Sequence, residues 1–204
     1  MKYDKRFDKR KFEEMRPMEA KAGIIENADG SGFFKIKGKN GNTTAYAAVY
    51  GPKELHPKFL QNPKKGILRC SYNMMPFSGA GDRVRPGHNR RSREISLVTE
   101  KALEPVVDLN DYPNSVVDVF IELIETDAGS RCAGICAAAI ALADAGIPMK
   151  DLIAAVSVGK VGDKLVVDLD GEEEHFENNE ATDIPMAMIQ RSKEISLLQM
   201  DGYI

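Results

Sequence analysis

The chain has 204 residues, of which 43% are apolar, and a formal net charge of −3 at pH 7. This length suffices for one substantial core, so we predict a single domain over residues 1–204 with an extended arm at residues 1–17. The slight acidity excludes a protein that coats nucleic acid nonspecifically, because such binding needs many lysines and arginines facing phosphates. No apolar run reaches membrane-spanning length and the N-terminus is densely charged, so we expect a cytoplasmic protein without a membrane partner.

The first third of the chain predicts an antiparallel meander. Asp29-Gly30 and Asn40-Gly41 are hairpin turn signals between short strand-like segments. A basic, proline-rich stretch follows and predicts an exposed loop over residues 52–65. The predicted strands are residues 22–27, 32–37, 43–50 and 67–72.

The remainder predicts alternating strands and helices. Apolar residues recur at helical spacing from Ile95 to Val106. A β-branched strand at residues 116–124 then leads into an alanine-rich helix at residues 130–145. Further predicted strands are residues 153–161, 164–168, 184–190 and 194–200. Strands in a row followed by strand–helix units predict an α+β fold of mixed sheet and helix layers.

The junction before the alanine-rich helix is a candidate anion site. Its residues are Asp127-Ala128-Gly129-Ser130-Arg131. A helix that begins near Ser130 leaves its first amides unpaired, so an anion there meets N–H groups, a favourable dipole and the Arg131 fork. Phosphate is the natural candidate. An ordinary helix N-cap at Ser130 with a solvated Arg131 explains this junction equally well.

A second signal is the positive charge before the first helix. Arginines close to a helix N-terminus oppose the helix dipole, which favours an anion among them. Arg91 and the Gly129–Arg131 turn would then hold one phosphate between them. The residues of this positive patch are Arg83, Arg85, His88, Arg90, Arg91 and Arg93.

A third signal is an acidic run that ends at Asp183. Most of its carboxylates should be solvated, because like charges this dense repel one another. A carboxyl group beside bound phosphate has a raised pKa, which suits a general acid. Asp183 is the best placed, because the apolar run 184–189 follows it directly. The acidic residues are Asp168, Asp170, Glu172, Glu173, Glu174, Glu177, Glu180 and Asp183.

Several motifs, in order along the chain, carry a resemblance to a known family. They are residues 12–17, 48–57, 72–78, 90–91, 127–131, 155–160, 183–185 and 198–202. Over nearly its whole length the chain resembles the phosphorolytic exoribonucleases of the RNase PH type, and within them the catalytic ring subunit of the archaeal exosome. The resemblance implies a fold like domain 2 of ribosomal protein S5. It also implies a trimer of heterodimers with a noncatalytic RNase PH-like partner subunit and RNA-binding cap proteins.

The resemblance also implies a reaction and roles for individual residues. Inorganic phosphate, as co-substrate, shortens single-stranded RNA from its 3′ end and releases nucleoside diphosphates. Asp183 corresponds to one of two acids in the site, Arg90 to a residue that grips RNA, and Tyr72 to an aromatic side chain that stacks on a base. The implied phosphate-binding residues are Arg91, Gly129, Ser130 and Arg131.

The second acidic position departs from the family pattern. Relatives carry an Asp within a Glu-Glu-Asp run, whereas this chain has glutamates and extra residues after Phe176. Glu174 is the first candidate for the counterpart and Glu177 the second. We therefore predict Glu174 and Asp183 as the catalytic acids and as the residues that could hold a Mg²⁺ ion. The chain also ends before the C-terminal helix of the relatives, so we expect that helix to be absent.

Two other functions remain open on the sequence. The Glu174 replacement is compatible with a noncatalytic, RNA-binding structural subunit of the ring. A stand-alone, tRNA-trimming RNase PH homohexamer is the other, although residues 50–57 and 183–185 favour the exosome subunit. Lys53, His56 and Lys58 could follow an RNA backbone, and a solvated loop explains these residues about as well.

Overall fold

The computed structural model describes residues 3–87, 89–176 and 181–202. The strands in these ranges are β1 (Met18–Ala22), β2 (Gly30–Lys37), β3 (Asn42–Glu54), β4 (Ile67–Met74), β5 (Ser115–Glu125), β6 (Ile153–Val161), β7 (Lys164–Val167), β8 (Ala181–Ile189), β9 (Ile195–Leu198) and β10 (Asp201–Gly202). The α-helices are α1 (Arg90–Leu103), α2 (Ser130–Asp144) and α3 (Gly171–Glu174). None of the helices in the described ranges is long and apolar enough to cross a membrane.

The strands form two five-stranded sheets. The first has the order β1-β2-β3-β5-β4, in which β4 is parallel to β5 and the other neighbours are antiparallel. The second has the order β10-β8-β6-β7, with β9 paired to β8. The predicted α+β fold of mixed sheets and helices is therefore confirmed.

Helix α2 lies against both sheets, and its small side chains allow close packing. Ala133, Ala137 and Ala141 are fully buried. The amide of Ala155 in β6 donates to Cys136 Sγ at 3.3 Å, so α2 contacts the second sheet directly. One hydrophobic cluster contains residues of both sheets together with α2. The N-terminus of α2, which follows β5, thus lies at the junction of the two sheets.

The prediction for the first strand was wrong. The first strand is Met18–Ala22 rather than residues 22–27, because β1 pairs antiparallel with β2 from Met18 opposite Ile36 to Ala22 opposite Gly32. The chain then turns at Gly23, whose φ of 67° is left-handed and favours glycine. The short helix α3 lies inside the acidic run, where like charges obscured its helical signal.

Candidate active site

A cavity of about 590 Å³ opens where β5 ends and α2 begins. Its wall is formed by the turn after β5 and by the starts of α1 and α2, and by α3, β6 and β8. The structure therefore brings the predicted anion-binding residues and both predicted acids to one place. The predicted residues that line this cavity are Arg91, Gly129, Ser130, Arg131, Glu174 and Asp183.

The N-terminus of α2 is open toward the cavity. Gly129 is the N-cap, with φ 67° and ψ 20°, and it offers no side chain to the first amides. Ala128 before it also has a positive φ, of 59°. The alternative in which Ser130 caps the helix is wrong, because Ser130 is the first helical residue. The uncapped amides can therefore donate to an anion.

The two arginines of the cavity have few partners of their own. Arg131 is 13% exposed at its side chain, and its nearest carboxylate in the described part of the chain is Glu94, 3.8 Å from Nη2. Its buried Nε has no hydrogen-bond partner there. Arg91 is exposed at the start of α1 and forms no ion pair with any described residue. Guanidinium donors without protein partners are suited to binding phosphate.

The two acids that line the same cavity hold protons more tightly than usual. Burial, followed by the charge of Asp183, raises the pKa of Glu174 to about 7. Burial also raises the pKa of Asp183, although the Ser157 hydroxyl donates to its Oδ1 and opposes that shift. A carboxyl group that titrates near neutral pH can serve as a proton donor in this range.

The turn that forms the anion site is supported from below by two buried residues. Thr43 Oγ1 donates to the Ala128 carbonyl at 2.6 Å and accepts from the Asp127 amide at 2.8 Å. Arg16 Nη1 donates to the Asp127 carbonyl at 2.7 Å. Neither Arg16 nor Thr43 was predicted as a site residue. Arg16 lies in the motif at residues 12–17, and Ser157, which donates to Asp183, lies in the motif at residues 155–160. Thr43 carried no signal beyond its position in a strand.

The prediction that the acidic run is mostly solvated was wrong for three of its members. Asp168, Asp170 and Glu173 are buried. Their charges are tolerated because Arg16 pairs with Asp168 and Arg6 with Glu173, each at 2.7 Å. Glu172 is exposed, as expected. Glu177 and Glu180 lie outside the described residues.

The predicted stacking of Tyr72 on a base was also wrong. Tyr72 is 1% exposed and belongs to the core cluster. The alternation of β4 directs its ring inward against α2, where the ring edge lies next to Gly134. A ring enclosed in this way has no face available to RNA.

The remaining predicted RNA-binding residues lie outside the cavity. Lys53 pairs with Val116 near the start of β5, whereas the anion site follows the end of that strand, about 30 Å away at ~3.3 Å per residue. His56 and Lys58 follow Lys53 and are exposed. Arg90 is exposed beside Arg91 but does not line the cavity. His88 of the positive patch lies outside the described residues.

Comparison with known proteins assigns the chain to a family. The model of the 3′ exoribonuclease family, domain 1, matches residues 14–148, and that of domain 2 matches residues 151–204. The exosome complex component Rrp41 of Thermococcus kodakarensis is 52% identical over 98% of this chain and 77% of that protein. Rrp41 of Archaeoglobus fulgidus is 48% identical over 97% of this chain and 74% of that protein.

Solved structures share the fold. Rrp46 of rice (Oryza sativa) gives a TM-score of 0.83 at 23% identity over 98% of this chain and 86% of that chain. The Archaeoglobus fulgidus exosome with RNA bound to the active site gives 0.78 at 23% identity over 98% and 84% of the two chains. With two matching family models and relatives near 50% identity, this chain belongs to the RNase PH-type 3′ exoribonuclease family.

Proposed function

We propose that this chain is the catalytic subunit of an archaeal exosome ring and shortens single-stranded RNA from its 3′ end by phosphorolysis. The observation that carries the proposal is that phosphate-binding donors and two acids line one cavity. We call the uncapped N-terminus of α2 with Arg91 and Arg131 the cationic wall, and Glu174 with Asp183 the acidic wall. The exosome components named Rrp41 among the relatives support the same function.

In the proposed reaction, inorganic phosphate occupies the cationic wall. It accepts hydrogen bonds from Arg91, from Arg131 and from the first amides of α2. One of its oxygens attacks the phosphorus of the last phosphodiester, and the bond from that phosphorus to the 3′ oxygen breaks. Glu174 or Asp183 donates a proton to the leaving 3′ oxygen. The products are a nucleoside diphosphate and RNA shorter by one nucleotide, and the protein contributes positioning and charge neutralisation.

A Mg²⁺ ion fits this site only if protein carboxylates and substrate phosphate bind it together. The described residues contain no group of three or more His, Cys, Asp or Glu side chains arranged for a metal. Mg²⁺ commonly binds through one or two carboxylates and completes its shell with water and substrate phosphate. Glu174 and Asp183 are the residues that would hold it, and the ion would supply further neutralisation of phosphate charge.

We also propose the assembly that the family resemblance implies. The ring would contain a noncatalytic RNase PH-like partner in a trimer of heterodimers, with RNA-binding cap proteins on one face. Lys53, His56 and Lys58 would contact RNA upstream of the cavity. Their distance from the anion site, about 30 Å, fits backbone contacts along an entering strand rather than a role at the 3′ end.

The decisive experiment measures the shortening of 5′-labelled RNA together with the release of nucleoside diphosphates. The chain is assayed with phosphate, alone and mixed with a candidate ring partner, and reactions without phosphate are the control. Phosphate-dependent release that requires the partner supports the proposal. Release by the chain alone as a homohexamer supports the tRNA-trimming alternative, and no release in either case supports the noncatalytic subunit.

A further inference from the structure

Residues 3–16, which we call the N-terminal strap, contain no helix or strand, yet two of their arginines are buried. Arg6 and Arg16 are each 3% exposed. A buried guanidinium is expensive unless its donors are paired, so the partners of these arginines indicate the role of the strap. Residues 3–13 precede the part of the chain that the family model matches.

Arg6 holds the helix that carries Glu174. Its Nε and Nη2 donate to the two carboxylate oxygens of Glu173 at 2.8 and 2.7 Å, and neither side chain is exposed. Glu173 also accepts from the Tyr3 hydroxyl and, at 3.0 Å, from the Asp170 amide, which closes the capping box of α3. A four-residue helix is not stable by itself. The Arg6–Glu173 pair therefore determines where the adjacent Glu174 lies.

Arg16 connects the two walls of the cavity. Its Nε and Nη2 bind both carboxylate oxygens of Asp168, at 2.9 and 2.7 Å, just before α3. Its Nη1 donates to the Asp127 carbonyl at 2.7 Å, in the turn that leads to α2. One side chain thus touches the segment before the acidic wall and the turn before the cationic wall.

Aromatic packing fixes the other end of α3. The Tyr3 ring lies 5.2 Å from the ring of Phe176, centroid to centroid, with the two planes inclined by 66°. Both rings belong to a small second core with Val161 and Leu169. Arg16 contacts Asp168 before α3, and Tyr3 contacts Phe176 two residues after it. The strap therefore contacts this helix region at both ends.

From these contacts we propose that the strap is a positioning element for catalysis, in which Arg6 acts through Glu173 on Glu174 and Arg16 sets the spacing between the acidic and cationic walls. The inference rests on the proposed phosphorolysis. The strap residues themselves do not touch the reacting phosphates. Their effect should appear in the rate of the chemical step, because misplacement by about 1 Å costs on the order of 10²-fold.

The test compares Arg6→Met/Glu173→Gln with wild type in the assembled ring. This double substitution removes both buried charges, so no charge is left unpaired. Lys5→Met is the matched control, since Lys5 is exposed in the same strap. We measure kcat and KM for phosphate, and hydrogen exchange of the peptides covering residues 170–176 and the centre of α2. If the double variant does not fold, Arg6→Lys, which keeps the charge and loses the fork, takes its place.

We expect a folded variant whose kcat falls about 10- to 100-fold while KM for phosphate changes less than about threefold. Exchange should rise at residues 170–176 and not in the centre of α2. A cooperatively folded variant with wild-type kcat, or with unchanged exchange at residues 170–176, would overturn the inference. An inactive wild type would contradict the proposed function instead, and the exchange measurement would still decide whether the strap holds α3.

Discussion

The strap and the cavity both contact α3 and the turn after β5, and they use arginine and glutamate in opposite ways. Arg16 in the strap donates to Asp168, Asp127 and Leu169, so four of its five N–H donors have protein partners. Among the described residues, Arg131 in the cavity has a buried Nε without a partner and no carboxylate closer than 3.8 Å. Donors that have protein partners stabilise the fold, whereas donors without partners are available to a ligand.

The same contrast separates two neighbours in sequence. Glu173 is fully buried and bound by Arg6, so its charge is neutralised inside the protein. Glu174 lines the cavity without a described ion-pair partner, and its pKa is raised to about 7. Within one short helix, the inner acid is paired inside the protein, and the outer acid is one of the two that we propose as proton donors. The predictions below test this division.

The largest effect is expected from breaking a buried ion pair in the strap. Arg16→Met leaves the buried Asp168 with only the longer pair to Arg10, at 3.3 Å, which should lower the free energy of unfolding by about 3 kcal/mol. Urea denaturation measures this loss. The control is Lys101→Met, which removes an exposed pair with Glu104 and should cost about 1 kcal/mol or less. Equal losses for the two variants would contradict the distinction between strap and surface.

Removing an arginine whose donors lack partners among the described residues should affect the reaction rather than the fold. Arg131→Ala or Arg91→Ala should lower the phosphorolysis rate by about 10²–10³-fold, because each loses a charged donor to the phosphate. Diphosphate release measures the rate, and circular dichroism checks the fold. Arg93→Ala, at an exposed position in the first turn of α1, should keep nearly the wild-type rate. A near-normal rate for Arg131→Ala would refute the assignment of the anion site.

Glu174→Gln should stabilise the protein at alkaline pH. Because the pKa of Glu174 is raised from 4.5 to about 7, the native state binds its proton more tightly than the unfolded state, and stability falls as pH rises across this window. Glutamine cannot ionise, so the stability difference in favour of the variant should grow by about 2–3 kcal/mol between about pH 5 and pH 8.

This prediction is measured by urea unfolding at the two pH values, without RNA or divalent ions. Glu172→Gln, at the exposed neighbour, is the control and should show little pH-dependent gain. The Glu174→Gln variant also identifies the proton donor: loss of phosphorolysis assigns that role to Glu174, since an amide cannot donate the required proton, and a retained rate assigns it to Asp183. A pH-independent stability difference would show that Glu174 is not the buried, tightly protonated acid of the cavity.

The smallest effect concerns the basic loop far from both regions. Replacing Lys53, His56 and Lys58 with alanine should weaken the binding of long RNA by about tenfold or less and reduce the slope of its salt dependence. RNA too short to span about 30 Å should be degraded at the wild-type rate. Equal effects on short and long RNA would contradict upstream backbone contacts.

Local sequence patterns predicted much of this architecture. The strand at residues 153–161 has the predicted bounds, and α2 differs from its prediction by one residue at its end. Gly129, Ser130 and Arg131 were recognised because a strand, a glycine turn and a helix follow one another directly, and such a junction has its own hydrogen-bonding consequences. The first strand was misplaced because pairing with β2 outweighs the propensity of residues 22–27.

By itself the sequence determined the family, the α+β class and the residues that form the two walls of the cavity. Only the tertiary structure decided which charges are structural and which are available. Arg6 and Glu173 are 167 residues apart in the chain, and no local pattern indicates that such distant charges meet. Burial also excludes Tyr72 from the predicted RNA-binding residues and raises the pKa of Glu174. Both outcomes depend on the surrounding solvent and charge, which only the folded chain defines.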